Sequence, residues 1–139
     1  MAQAEFAGDI TSGEAWKALA EKADSVLIDV RTAAEWFFVG GPDLSSIDKK
    51  VIKIEWQTFP GMVRNESFVN DVLALGIARE KPLYFICRSG VRSRFAAQEL
   101  AKQGYTTYNV ADGFEGPLTP EGHRTLDGWV AQSLPWRQT

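Results

Sequence analysis

The chain has 139 residues, is 45% apolar with five tryptophans, and carries a formal charge of −3 at pH 7. That length suits one domain with a real core and is too short for two ordinary ones. The acidic balance argues against a nucleic-acid or anionic-membrane surface, and no apolar run approaches the roughly 20 residues of a membrane span. The opening stretch MAQAEFAGDI lacks the basic and apolar regions of a secretory signal. A single cysteine forbids an internal disulfide, and with a single histidine it cannot build a zinc site without several carboxylates. The expectation is a soluble, cytoplasmic protein that needs neither metal nor cofactor and binds neither nucleic acid nor membrane.

In chain order, FAGDI (6–10) reads as an edge strand. Residues 13–23 carry Ala15, Trp16, Leu19, Ala20 and Ala23 on one helical face, with Thr11 and Glu14 spaced as a capping box. SVLIDV (25–30), VIKIEW (51–56), LYFIC (83–87) and TTYNV (106–110) are short unalternated runs, as in strands buried on both faces of a parallel sheet. Residues 67–75 gather Phe68, Val69, Val72 and Leu73 ahead of Gly76. Residues 93–103 gather Ala96, Ala97, Leu100 and Ala101 ahead of Gly104. A last helix starts in TPEGH (119–123), with Pro120 in its first turn. Strand–helix alternation predicts an α/β fold with a mostly parallel sheet. No repeat, low-complexity tract or linker interrupts it.

In such sheets the ligand crevice lies outside the carboxyl ends of the strands. DVR (29–31), CRSGVRS (87–93) and NVADGFEG (109–116) all fall at such ends and are expected on one edge. If Cys87 ends its strand and a helix begins near Ser93, the intervening loop turns its N–H groups toward the sulfur. Gly90 supplies the positive φ of a tight turn. Inward N–H groups and a helix start favour thiolate over thiol, and Arg88 and Arg92 add two full positive charges. Free cysteines are usually buried and inert, but an inert one has no use for a charged, glycine-containing turn. Cys87 is therefore read as a nucleophile.

CRSGVRS resembles the active-site loop of the rhodanese superfamily, in particular its single-domain sulfurtransferases. LIDVR (27–31) followed by AEW (34–36) is similar to that family's DVRxxxEW/EY motif, and LAKQGYTTYNVADGF (100–114) to its helix-to-strand segment. The resemblance covers about residues 8–117, with the motifs in the family's order. It implies a rhodanese-like domain over residues 1–139, with a five-stranded, mostly parallel sheet flanked by helices on both faces. Its core is about 8–117, with a C-terminal helical extension over about 118–139. It also implies a persulfide relay: Cys87 takes a sulfane sulfur from a small anionic donor such as thiosulfate and passes it to cyanide, a thiol or a protein acceptor.

Arg88 and Arg92 are candidates for holding the donor's oxygens, or else are tied in ion pairs that shape the loop. Ser89, Gly90, Val91 and Ser93 act mainly through backbone N–H groups, and Ser93 is also placed to cap the helix. Asp29 and Arg31 are read as structural support, the acid orienting an arginine. Phe114 is placed to line the pocket mouth. His123, in the C-terminal segment, reads as a surface or tail-packing residue, and the tryptophans as packing residues.

Two departures stand out. The family continues past AEW with G-H-I-x-G-A, where this chain has FFVGGPDLSSI, and EGPLTPEGHRTLDGWVAQSLPWRQT matches no core motif. Of the rival readings, a phosphatase or arsenate reductase carries five residues between cysteine and arginine, against the four of RSGV here. A persulfide carrier or regulatory protein-binding module also fits the sequence, whereas a thiol redox protein lacks its C-x-x-C motif.

Overall fold

The computed structural model of the chain describes residues 6–58, 61, 63–116 and 128–137. Along the chain run β1 (Gly8–Ile10), α1 (Ser12–Glu21), β2 (Val26–Asp29), α2 (Ala33–Phe38) and β3 (Gly41–Pro42). A 3-10 turn (Ser45–Ile47) precedes β4 (Ile52–Lys53), β5 (Gln57–Thr58), β6 (Val63–Arg64) and α3 (Phe68–Leu73). Then come β7 (Leu83–Ile86), α4 (Val91–Ala101), β8 (Thr107–Val110) and β9 (Trp136–Arg137). The main sheet has the order β1-β8-β7-β2-β4, and every neighbouring pair is parallel. The predicted α/β architecture is present, with FAGDI at an edge. The predicted helix from residue 119 and His123 lie outside the described residues. No helix among the described residues is long and apolar enough to cross a membrane.

Alternation along the central strands divides the core in two. Ile28, Leu83, Phe85 and Cys87 face one way, onto Phe68 and Val72 of α3 and Ala96, Ala97 and Leu100 of α4. Leu27, Tyr84 and Ile86 face the other way, onto Ala15 and Leu19 of α1, with Leu44, Phe114 and Trp129. Helices therefore cover both faces, which is why β7 is apolar at every position.

Local signals explain the helix ends. Thr11 Oγ1 accepts the Glu14 N–H at 3.1 Å while Glu14 Oε1 accepts the Thr11 N–H at 3.0 Å, a complete capping box. The buried face of α1 is Ser12, Ala15 and Leu19, whereas Ala20 and Ala23 point to solvent. Ser12 is buried because Asp112 accepts both its N–H, at 2.9 Å, and its hydroxyl, at 3.0 Å. A second capping box, Thr32 with Glu35, starts α2, a helix the apolar pattern does not announce.

The segment that departs from the family pattern makes its own arrangement. Past α2 the chain enters β3, which pairs antiparallel with β9 of the tail. Residues 128–137 are integral to the domain, since Trp129 is fully buried in the second core.

Candidate active site

The strand ends meet on one edge as expected. In register, Asp29 lies beside Ile86 and Phe85 beside Asn109, so the residues that follow β2, β7 and β8 emerge together. The cysteine loop is then locked onto the turn after β8. The Phe114 N–H donates to the Cys87 carbonyl at 2.8 Å, and the Glu115 N–H to the Arg88 carbonyl at 3.0 Å. Glycine is required on both sides of this contact. Gly90 (φ +95°) would place a Cβ 2.2 Å from the Ala111 carbonyl oxygen, and Gly113 (φ +64°) one 2.4 Å from the Arg88 oxygen.

Two donors reach the sulfur. The Gly90 N–H points at Sγ over 3.1 Å, and the Ser93 hydroxyl lies 3.2 Å from it. The sequence places the helix start near Ser93, with Ser93 as a cap. In the structure α4 begins at Val91, Gly90 occupies the cap position without a side-chain bond, and Ser93 lies within the first turn. That shift brings the hydroxyl onto the sulfur. Cys87 is only 1% exposed, at the junction of the loop and the first core cluster.

Asn109 is a site residue that motif reading missed. Its Nδ2 donates to the Gly90 carbonyl at 3.0 Å and to Asp9 Oδ1 at 2.9 Å, leaving Oδ1 facing the Ser93 hydroxyl at 2.5 Å. Ser93 carries one proton. When that proton is donated to Asn109, the serine oxygen can accept from a cysteine thiol. When the sulfur is an anion, the same proton turns to it. Asn109 thus fixes both the loop backbone and the hydroxyl that answers the sulfur.

Asp29 and Arg31 form a fully buried pair, Nη2 to Oδ2 at 2.7 Å and Nε to Oδ1 at 3.0 Å. Arg31 Nη2 also donates to the Gly40 carbonyl at 2.6 Å, and the guanidinium lies 4.4 Å from the centre of the Phe114 ring. Trp136 of β9 packs against Phe114 in a T-shaped contact, ring centres 6.0 Å apart. The stretch after AEW thus ties Gly40 to Arg31 and pairs β3 with β9 of the tail.

Both loop arginines are paired. Arg92 grips Glu35 through two bonds, Nη1–Oε1 at 2.6 Å and Nη2–Oε2 at 3.0 Å. Burial alone would raise the Glu35 carboxyl, but the Arg92 hydrogen bond and charge and the Thr32 N–H outweigh it and hold the carboxyl below 4.5. Burial would likewise lower Arg92, and Glu35 raises it instead. Arg88 is half-exposed and bonds Glu115 through Nε at 2.9 Å. Ser89 and Val91 lie on the outer side of the loop, lining an open groove of about 390 Å³ with Gly90, Phe95 and Asn109.

The sequence model of the family described as STR4 middle domain matches residues 7–139. An uncharacterized protein of Rickettsia conorii, RC0915, is 36% identical over 133 residues, 93% of this chain and 96% of that protein. The chloroplastic rhodanese-like domain-containing protein 4 of Arabidopsis thaliana is 26% identical over 88% of this chain, which spans 24% of that longer protein. Among solved structures, Rv0390 from M. tuberculosis superposes with a TM-score of 0.84 at 47% identity, covering 97% of this chain and all of that one. The polysulfide-sulfur transferase homodimer of Wolinella succinogenes shares the fold, with a TM-score of 0.63 at 22% identity over 94% of this chain and 78% of that one.

Proposed function

Because the chain belongs to the STR4 middle-domain family and has a rhodanese-like fold, we propose that it is a sulfurtransferase working through a persulfide on Cys87. The observation that carries this reading is the sulfur at the end of β7, met by the Gly90 N–H and the Ser93 hydroxyl. Donors aimed at a sulfur stabilise negative charge there, both on the attacking thiolate and on the persulfide that follows.

In the first half-reaction the Cys87 thiolate attacks the sulfane sulfur of the donor. The donor's S–S bond breaks, its electron pair leaves with sulfite or a thiolate, and Cys87–S–S⁻ remains. In the second, cyanide, a small thiol or a protein thiolate attacks the terminal sulfur, and the electron pair of that S–S bond returns to Cys87. No electrons are gained or lost overall. A lone reactive cysteine of this kind suits a reducing compartment, and the cytoplasm is where we place it.

The paired arginines favour one class of donor. Arg92 and Arg88 are matched by Glu35 and Glu115, so little net charge remains to attract thiosulfate. A persulfide carried on a thiol or on a protein needs no such attraction. Intact mass after incubation with thiosulfate or with a thiol persulfide tests both points. One added sulfur, lost to cyanide as thiocyanate and absent in Cys87→Ser, is the expected result, with faster loading from the thiol persulfide. A folded protein that gains no sulfur from either donor would leave the reading without support.

Ser93→Ala probes the charge-stabilising contact. Hydrogen bonds to charged groups contribute about 1.5–3 kcal/mol, so loading is expected to slow about tenfold or more. Stopped-flow loading with a circular-dichroism check of the fold measures this. An unchanged rate would assign the stabilisation to Gly90 alone.

A further inference from the structure

Away from the cysteine, a cavity of about 310 Å³ opens between α2, β3, the 3-10 turn and β4. That volume is at the small end of the range for small-molecule pockets. Its charged lining residues are Lys49, Lys50, Lys53 and Arg137 against the single carboxylate of Asp43. A chain of net charge −3 thus concentrates cations around one concavity.

Their partners show which charges are left over. Lys49 is committed elsewhere, its Nζ donating to the carbonyls of Lys22, Ala23 and Ser25 at 2.7–3.0 Å. Asp43 accepts the Ser45 N–H at 3.0 Å and feels the charge of Arg137 without forming a close ion pair with it. Among the described residues, Lys50, Lys53 and Arg137 enter no ion pair. Lys53 Nζ lies 5.9 Å from the centre of the Trp36 ring. Trp36, itself in the cavity wall, carries a buried indole N–H with no acceptor among the described residues.

Three unmatched cations around one hollow repel one another, and no fold requirement visible in the core explains their grouping. An oxyanion with two or more charges would relieve that repulsion. We propose that this cavity binds a small polyvalent phosphate, free or as an ester, through Lys50, Lys53 and Arg137. The site is separate from the sulfur chemistry but shares a wall with it. Trp36 follows Glu35, which holds Arg92, and Gly41 follows Gly40, whose carbonyl holds Arg31.

Titration of the full chain with inorganic pyrophosphate and with adenosine diphosphate, followed by the Trp36 indole N–H signal in ¹H–¹⁵N NMR, tests the proposal. Saturable shifts with a Kd below about 1 mM are expected at about 0.15 M salt. Equal affinity for the two probes would assign the site to the phosphates alone, and tighter binding of the nucleotide to an ester. Lys53→Glu and Arg137→Glu, both on exposed side chains, are each expected to weaken binding about tenfold or more, whereas Arg88→Ala leaves it unchanged. No saturable shift would overturn the proposal. So would binding lost in Arg88→Ala and kept in Lys53→Glu, which would put the anion at the cysteine loop.

Discussion

Asp29→Ala is expected to cost about 3–5 kcal/mol of folding stability, the range for removing one partner of a buried ion pair. The carboxylate is fully buried and accepts the backbone N–H of Arg31 as well as its Nε and Nη2. Without it, a fully buried guanidinium would keep only the Gly40 carbonyl and the Phe114 ring, and its Nη1 already has no partner among the described residues. The charge cannot be shed, because arginine stays protonated in proteins. Asp29→Asn keeps the shape and part of the acceptor capacity, so its loss should be smaller. Urea denaturation of the two variants against wild type measures the difference. If Asp29→Ala unfolds within about 1 kcal/mol of wild type, water reaches Arg31 and the pair is not the clamp described here.

On the proposed function, that clamp bears on sulfur loading as well as on stability. Arg31 joins the end of β2 to Gly40, and Gly40 leads into β3. Its flat face carries Phe114, whose backbone N–H holds the Cys87 carbonyl. A variant that frees Arg31 is therefore expected to lose sulfur loading under conditions where it is still folded. The sequence reads Asp29 and Arg31 as structural support; in the structure they form a fully buried pair in contact with Gly40 and Phe114.

How far the sequence could be read depended on whether a signal was contiguous. The cysteine loop was legible because strand, glycine and charges occupy one short stretch. The long helices α1 and α4 were legible through their apolar spacing, although Ala20 and Ala23 turned outward. Helix α2 was not, because it is only six residues long, buries no side chain completely, and its AAEWFF sequence shows no helical alternation of apolar and polar positions. Its one mark, Thr32 followed by Glu35, has the same spacing as the Thr11–Glu14 box that was recognised. Asn109 escaped because its partners Ser93, Gly90 and Asp9 are 16, 19 and 100 positions away. The β3–β9 pairing joins two-residue strands from distant parts of the chain, too short for any alternation to show. Arg92 shows a different limit. Its charge was plain, but that it is spent on Glu35 depends on α2 being a helix.

Trp129→Ala is expected to destabilise the protein by about 3–5 kcal/mol, the range for truncating a large buried aromatic. The sequence reads the tail as a C-terminal extension of the core that matches no core motif; in the structure this indole is fully buried beside Ala15, Leu19 and Phe114. It meets Trp16 edge-on with ring centres 5.9 Å apart, and its Nε1–H donates to the Pro135 carbonyl at 2.7 Å. Its backbone N–H donates to the Gly113 carbonyl at 2.9 Å, on the turn that Gly113 presses against Arg88. Truncation would leave a cavity behind the turn that holds the cysteine loop, so slower persulfide loading should accompany the loss of stability. Trp129→Phe keeps most of the volume and gives up the bond to Pro135, so it should fall between wild type and alanine. Thermal and urea unfolding of both variants, with loading rates measured well below their midpoints, separate the two effects. Alanine as stable as wild type would mean that residues 128–137 cover the core without contributing to it. A destabilised variant with an undiminished loading rate would mean that the turn keeps its shape without Trp129.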